Sequence, residues 1–256
     1  MFQNALVRPP SATFASGLTT SGLGAPDLSL ALLQHRRYVE ALESCGVSVT
    51  VLPPDDAFPD STFVEDTAVV AGRRAVVTRP GAPSRRGETG AVAAALGAFF
   101  SDLPSIEAPG TVDGGDVCLA GDRFLIGISD RTDEVGARQL ARLVEEAGFS
   151  AGTVDVRGVP GLLHLKSGIA FLGDGAFLCT RALASHPALL GARTVVVPDE
   201  EAYAANAIEV NGKLLVAAGF PRTEKALRGL GFAVLPLDVS EFRKMDGGLS
   251  CLSIRF

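Results

Sequence analysis

The sequence lacks several features that would place it in a large class of protein. It has no tryptophan, and no apolar run approaches the roughly 20 residues that a membrane-spanning helix needs. Its first residues, MFQNALVRPP, do not follow the charged-then-apolar order of a signal peptide. The four cysteines show no CxxC spacing, so we expect reduced thiols in a cytoplasmic protein rather than a disulfide framework.

Charge and missing motifs exclude further classes. The formal net charge is -6, whereas nucleic-acid-binding domains are typically basic. Neither a glycine-rich phosphate loop nor a GxSxG nucleophile elbow occurs. The zinc spacings C-x2-C, H-x3-H and HExxH are missing too, so we expect neither a metal nor a cofactor. Hydrophobic residues make up 47% of the chain, which is enough for a sizeable core.

A strand pair, a helical segment and a single strand recur along the chain. The strand pairs turn at Gly72, Gly121, Gly173-Asp174-Gly175 and Asn211-Gly212, and Asn-Gly is the strongest short hairpin signal. The predicted strand pairs lie at 67–80, 116–129, 168–181 and 207–219. The predicted helices lie at 87–100, 132–147, 182–190 and 222–230, and the single strands are IEAP, GTVDV, RTVVVP and AVLPLDV. The repeating unit is therefore ββαβ, at intervals of about 40–50 residues.

A fifth unit forms if the two ends of the chain pair. CLSIRF at 251–256 and NALVRPP at 4–10 supply its strand pair, and 27–44 and 47–54 supply its helix and single strand. No linker-like segment divides the chain. The sequence thus predicts a single domain over 1–256. Its predicted fold is a five-bladed α/β propeller with pseudo-fivefold symmetry, closed by pairing of the N- and C-terminal strands.

Unusual polar residues stand at the start of the first strand of each unit. They are Glu65 and Asp66, Asp113 and Asp116, His164 and Lys166, Asn206, and Cys251. Equivalent positions in a closed ring face its centre, so we expect a thiol, an imidazole and several carboxylates to converge near the axis. Such a set offers a nucleophile, a base and a cation site. We interpret Gly247-Gly248, which precede the cysteine, as a flexible segment.

The thiol and the imidazole each have a structural alternative. A lone intracellular cysteine is commonly a small buried apolar residue, which also fits Cys45, Cys118 and Cys179. A histidine between leucines is commonly structural. We expect the other two histidines, His35 and His186, to be surface or capping groups because they lie in helical segments.

The carboxylates have structural alternatives as well. Asp113-Gly-Gly-Asp116 fits a turn held by side-chain hydrogen bonds, and Glu65-Asp66 fits a solvated strand end. Their shared position in the repeat favours a common functional role.

Seven segments, in order along the chain, carry a resemblance to a known family. They are GLTTSGLGAPD at 17–27, PDSTFVEDTAVV at 59–70, TRPGAPSRRGE at 78–88, TVDGGDV at 111–117, SDRTDEVGARQL at 129–140, LLHLKSG at 162–168 and KMDGGLSCLSIRF at 244–256. They resemble the dimethylarginine dimethylaminohydrolases, the dimethylargininases of the amidinotransferase-like (pentein) superfamily. The resemblance implies a five-bladed α/β propeller, in agreement with the repeat.

The resemblance also implies roles for individual residues. Cys251 is expected to be the nucleophile, His164 the general acid/base and Asp113 its acidic partner. The residues expected to bind the substrate are Asp66 at the guanidinium, Asp60 near the α-amino group, Glu65, Arg85 and Arg131 at the α-carboxylate, Leu18 and Met245 through backbone contacts, and Phe63 along the side-chain channel. Segment 15–26 matches a mobile lid.

The implied activity is hydrolysis of Nω-methylated L-arginine to L-citrulline and methylamine or dimethylamine. A thiolate would attack the guanidinium carbon to give an S-alkylthiouronium, which water then hydrolyses, and the only partner required is the small-molecule substrate. Two alternatives stay open. One is an arginine deiminase-like or related enzyme, although those chains are typically longer, and the other is a non-catalytic binding protein. The oligomeric state, including a homo-oligomer, is also open.

Overall fold

Short strands pair into five small sheets, one for each predicted unit. The computed structural model describes residues 1–256. The strands are β1 (Asn4–Val7), β2 (Ser48–Val51), β3 (Ala68–Ala71), β4 (Arg74–Val77), β5 (Val117–Ala120), β6 (Arg123–Ile128), β7 (Ser150–Asp155), β8 (Ile169–Gly173), β9 (Ala176–Cys179), β10 (Arg193–Val196), β11 (Ile208–Val210), β12 (Lys213–Ala217), β13 (Ala233–Leu237) and β14 (Ile254–Arg255).

Four of the sheets share one topology. In each, an antiparallel pair is extended by a third strand that runs parallel to its neighbour, giving β5-β6-β7, β8-β9-β10, β11-β12-β13 and β14-β1-β2. The last sheet joins the chain ends, with Leu6 opposite Ile254. The predicted ring closure and the five-bladed α/β propeller are therefore confirmed.

The β3-β4 sheet departs from the predicted unit. The strand expected at IEAP, residues 106–109, does not form, and only the isolated bridges Arg74–Asp102 and Val77–Ser105 lie beside β4. The physical reason is the pair of prolines, Pro104 and Pro109, which have no backbone N–H to donate to a ladder.

The helices agree with the prediction in four of five units. They are α1 (Leu28–Ser44), α2 (Thr89–Leu96), α3 (Glu134–Glu146), α4 (Pro221–Gly229) and a short extra α5 (Ser240–Arg243). Asp27 and Asp133 cap α1 and α3 by accepting hydrogen bonds from Leu30 N and Gly136 N. The prediction of a helix at 182–190 is wrong. Only a 3-10 turn forms there, because Pro187 lacks the N–H that a helix interior requires.

The packing of α1 corrects one prediction about the histidines. His35 is not a surface group but is 3% exposed. It lies on the same helix face as Ala31, Tyr38 and Leu42, at the spacing of three and four residues that marks a buried stripe. His186 does act as a cap, accepting a hydrogen bond from Ala188 N.

The Asn211-Gly212 turn joins two units. Both residues have positive φ, 51° and 88°, as a tight hairpin requires. The Asn211 side chain accepts from Phe2 N at 2.7 Å and donates to Phe2 O at 2.8 Å. The turn therefore fixes the N-terminal strand next to the fourth unit.

A 3-10 turn precedes the first strand of every unit. The turns span Val64–Thr67, Gly114–Asp116, Leu165–Ser167, Asp199–Ala205 and Ser250–Leu252. They carry or adjoin the polar residues singled out in the sequence. Separately, no helix has both the length and the apolar character needed to cross a bilayer.

Candidate active site

The five turns are joined by hydrogen bonds into a closed ring around the axis. Each turn bonds to the next, through Gly115 N to Asp66 Oδ1 (2.8 Å), Leu165 N to Asp116 Oδ1 (2.9 Å), Asn206 Nδ2 to Lys166 O (2.9 Å), Ser250 N to Asn206 Oδ1 (3.0 Å) and Ser250 Oγ to Glu65 Oε2 (2.8 Å). The predicted convergence of these residues is therefore confirmed. Asp116 also accepts from Ser129 and Thr132, so it anchors the turn that follows His164.

His164 and Asp113 form a buried pair. His164 Nε2 lies 3.1 Å from Asp113 Oδ2, and Gly81 N donates to Asp113 Oδ1 at 2.8 Å. Burial alone would lower the pKa of His164, but Asp66, Asp116 and Asp113 outweigh it and raise the pKa to about 9. The imidazole is therefore protonated at neutral pH and can act as a proton donor.

Cys251 stands beside this pair at the end of the chain. It is half-buried, and its Sγ accepts a hydrogen bond from Gly248 N at 3.4 Å. Burial, followed by the charges of Glu65 and Asp66, raises the pKa of the thiol to about 12. Without a ligand the group is therefore a thiol, and a cation placed against it would favour the thiolate.

The remaining cysteines follow the structural interpretation. Cys45, Cys118 and Cys179 are free and buried. Burial raises the pKa of Cys118 to about 11 and also raises that of Cys179. They are inert core residues, and only Cys251 shares a cavity with His164 and Asp113.

Arg85 lies in a buried cluster of carboxylates. Its Nη1 donates to Asp66, its Nε and Nη2 donate to Glu88, and its Nη2 also donates to Phe63 O at 3.0 Å. Burial raises the pKa of Glu88 to about 7 against the lowering effect of Arg85. Sequence reasoning missed Glu88. Its spacing of three residues from Arg85 was the signal that could have revealed it.

The carboxylates near His164 are close enough to suggest a metal site. One ligand atom each from Asp66, Asp113 and His164 lies within 4.8 Å of the others. All four carboxylate oxygens already accept hydrogen bonds from protein donors, including Arg85 and Gly81, and a protonated imidazole has no lone pair to offer. The donor set does not fit a metal ion, and the absence of a metal stays a prediction.

A small inner cavity of about 40 Å³ lies over this cluster. Its lining includes Leu18, Asp60, Phe63, Asp66, Arg85, Asp113, Arg131, His164, Met245 and Cys251, which are all but one of the predicted site residues. The exception is Glu65, which faces the propeller axis, pairs with Lys166 and borders a different cavity of about 180 Å³. The guanidinium of Arg131 forms no ion pair and is free to bind an anion.

The segment 15–26 closes one side of the inner cavity. Leu18 N donates to Asp60 Oδ1 at 3.0 Å, and Thr20 N donates to Asp246 Oδ2. Gly17 permits this approach because a Cβ there would lie 2.4 Å from Asp60 Oδ1. Whether the segment moves as a lid stays a prediction.

Close packing requires glycine at positions 247 and 248, and the flexibility of this segment stays a prediction. A Cβ on Gly247 would lie 2.2 Å from the ring of Phe63, and one on Gly248 would lie 2.6 Å from the side-chain amide of Asn206. The glycines let the backbone before Cys251 lie directly on the wall of the inner cavity.

Comparisons with known proteins agree with this geometry. No protein-family model matches the chain. The N(G),N(G)-dimethylarginine dimethylaminohydrolase of Pseudomonas aeruginosa is 45% identical over 257 residues and covers 100% of both chains. The protein of the same name from Streptomyces coelicolor is 40% identical, over 99% of this chain and 96% of its own.

A solved structure gives the same result. It is the Pseudomonas aeruginosa protein with a cysteine-to-serine substitution, in complex with citrulline. It superposes with a TM-score of 0.97 at 44% identity and covers 100% of both chains. Full-length relatives at this level of identity, together with the propeller and its polar centre, lead to one conclusion: the chain belongs to the dimethylarginine dimethylaminohydrolase family.

Proposed function

We propose that the protein hydrolyses Nω-methylated L-arginine to L-citrulline and dimethylamine or methylamine. The observation that carries the proposal is the inner cavity, in which acidic side chains and one unpaired arginine lead to a thiol beside a protonated histidine. Relatives named for this reaction, and a relative that binds citrulline, support it.

The substrate's amino-acid end is assigned to the side of the cavity away from the thiol. Asp60, already bonded to Leu18 N, faces the α-amino group. Arg131 is the principal partner of the α-carboxylate because its guanidinium is unpaired, and Arg85 assists with its remaining N–H. The backbones of Leu18 and Met245 make further contacts, and Phe63 forms the wall along the side chain.

The guanidinium of the substrate is assigned to the end of the inner cavity where Asp66 lies. Asp66 carries negative charge at the end of the cavity, and one cation, Arg85, is shared there between Asp66 and Glu88. Asp60 and Asp113 line the same cavity, so its carboxylates together favour a bound cation. Glu65 acts indirectly, since its bonds to Ser250 and Lys166 hold the turn that carries Cys251.

The reaction follows from these positions. The bound guanidinium lowers the pKa of the adjacent thiol, which loses its proton to solvent. The thiolate then adds to the planar carbon to form the Sγ–C bond. His164 transfers its proton to the departing amine as the C–N bond breaks. Neutral His164, held by Asp113, then removes a proton from water, which adds to the S-alkylthiouronium carbon. The Sγ–C bond breaks, citrulline is released, and the remaining thiolate takes up a proton from solvent to restore the thiol.

The cellular setting follows from the thiol. A nucleophilic cysteine must stay reduced, so we assign the reaction to the cytoplasm. The net charge of -6 favours a small cationic substrate over nucleic acid as the partner.

Replacing Cys251 with Ser tests the proposal. We expect citrulline production from dimethylarginine to fall by about 10³-fold or more, with the unfolding temperature unchanged. Cys45→Ser is the matched control, because that thiol is buried outside the site, and it should retain activity. Substantial turnover by the Cys251 variant would contradict the mechanism.

A substrate panel tests the alternatives. Arginine as the preferred substrate would favour the deiminase-like alternative. Binding of dimethylarginine without release of citrulline would favour a non-catalytic binding protein.

A further inference from the structure

Cys251 lies between two cavities of very different size. The inner cavity, described above, measures about 40 Å³, whereas the outer cavity on its other side measures about 800 Å³. Leu163, His164, Asp246, Gly247 and Cys251 line both. The outer volume falls in the range of pockets that enclose whole small molecules. A leaving group of one or two methyls needs only a small part of it.

The position of the substrate fixes which of its atoms faces the outer cavity. In the proposed function the amino-acid end lies against Asp60 and Arg131, which line only the inner cavity. The guanidinium carbon must reach Sγ of Cys251, at the boundary between the two. The nitrogen that departs with the proton of His164 is therefore directed outward, and any group attached to it extends into the outer cavity.

We propose that this outer cavity accepts leaving groups much larger than dimethylamine. The substrate class then extends to arginines that carry an uncharged alkyl or benzyl substituent on one ω-nitrogen. This inference rests on the proposed function, because it uses the same nucleophile and the same orientation of the amino-acid end.

The walls of the outer cavity favour uncharged substituents. Two of the basic side chains that line it are paired, Arg181 with Asp199 and Lys166 with Glu65, while the guanidinium of Arg243 lies 4.8 Å from the centre of the Tyr203 ring. The carboxylates of Asp130, Asp199 and Asp246 line the same cavity and disfavour an anionic substituent. Thr180, Ser167 and Ala182 add small side chains that leave the space open.

The chemistry is the same for any primary amine leaving group. Sulfur bonds to the guanidinium carbon, and the bond from that carbon to the substituted nitrogen breaks as His164 protonates the nitrogen. Water then replaces sulfur, so an Nω-substituted arginine and one water give citrulline and one amine. No other reactant is required.

The experiment compares kcat/KM for dimethylarginine, Nω-propyl-arginine and Nω-benzyl-arginine by citrulline release. We expect the two larger substrates to react within about tenfold of dimethylarginine. If dimethylarginine reacts and both larger substrates do not, the inference is wrong while the proposed function stands. If none reacts, the proposed function itself has failed.

Filling the outer cavity shows whether the substituent lies there. Ala182 is exposed and lines this cavity, so the Ala182→Trp variant should fold. It should lower kcat/KM for the benzyl substrate by about tenfold and change kcat/KM for dimethylarginine less than twofold. Ala202→Trp, from another wall, is the second variant, and Ala94→Trp, exposed on α2 outside the cavity, is the control. Undiminished benzyl turnover in both filling variants would overturn the inference.

Discussion

Two buried histidines of this protein differ in charge although their exposure is nearly equal. His35 is 3% exposed and His164 is 7% exposed. Burial, with a smaller contribution from Arg36, lowers the pKa of His35 to about 4. His164 is subject to the same effect of burial, yet its carboxylate neighbours raise its pKa to about 9. At neutral pH one ring is therefore neutral and the other is a cation.

The difference shows that burial does not decide the chemistry of a histidine. The groups that act on His35 of α1 are the backbone of Arg8 and the charge of Arg36, with no carboxylate among them, and its Nε2 has no hydrogen-bond partner. His164 receives carboxylates from two other propeller units, Asp66 from one and Asp113 and Asp116 from the next. The fold converts a common core residue into an acid by placing three negative charges around it.

Replacing each histidine with glutamine should separate the two roles most strongly. We expect His164→Gln to lower kcat for dimethylarginine by about 10³-fold, because the leaving amine loses its proton donor. His35→Gln should change kcat less than twofold. Citrulline release at saturating substrate measures both, and a similar loss in the two variants would remove the proposed distinction.

The pH dependence of stability should report on His35. Its pKa is lower in the folded state than the ordinary value of 6.5, so the unfolded chain takes up the proton first. The stability that the neutral ring contributes is present above pH 6.5 and is lost as the pH falls to 4, by about 3 kcal/mol. Urea unfolding at pH 7 and at pH 4 should show this loss in the wild type and a smaller one in His35→Gln. An equal loss in both would contradict the prediction.

The pair formed by His164 and Asp113 can be tested through the pH–rate profile. Asp113→Asn removes one of the charges that hold the imidazole proton, so the pKa of His164 should fall. The alkaline limb of the profile should move to lower pH, and kcat/KM should fall by about thirtyfold. Asp113→Glu restores the charge and should recover most of the alkaline activity. If the alkaline limb of the profile stays at the same pH in Asp113→Asn, the carboxylate has a purely structural role.

The sequence alone was sufficient to predict structural features that depend on neighbouring residues in the chain. The Asn211-Gly212 hairpin was predictable because positive φ is a property of those two residues. The repeat then placed Cys251 and His164 at equivalent positions, so their convergence followed from symmetry. The helix predicted at 182–190 was wrong because its apolar pattern carried more weight in the prediction than Pro187, which breaks it.

The charge states could not be predicted from the sequence. The pKa of His164 depends on carboxylates that lie about 50 and 100 residues away along the chain and approach it only when consecutive propeller units pack together. Glu65 was expected at the substrate because the family resemblance implied this role, as it did for Asp66. Neighbouring residues of a 3-10 turn point in different directions, so Asp66 borders the inner cavity while Glu65 faces Lys166 on the axis.

Replacing the third histidine, His186, should have the smallest effect on the stability and activity of the protein. It is half-exposed, and its Nδ1 accepts a hydrogen bond from Ala188 N at 3.1 Å, as a cap of the 3-10 turn that replaces the predicted helix. His186→Ala removes the acceptor and should cost about 0.5 kcal/mol of unfolding free energy in urea at pH 7. His186→Asn keeps an acceptor and should cost less. Because this ring contacts neither cavity at Cys251, kcat should be unchanged in both variants. An equal loss of stability in both variants would show that the ring acts by packing rather than as a cap, and a fall in kcat would extend the catalytic region beyond His164.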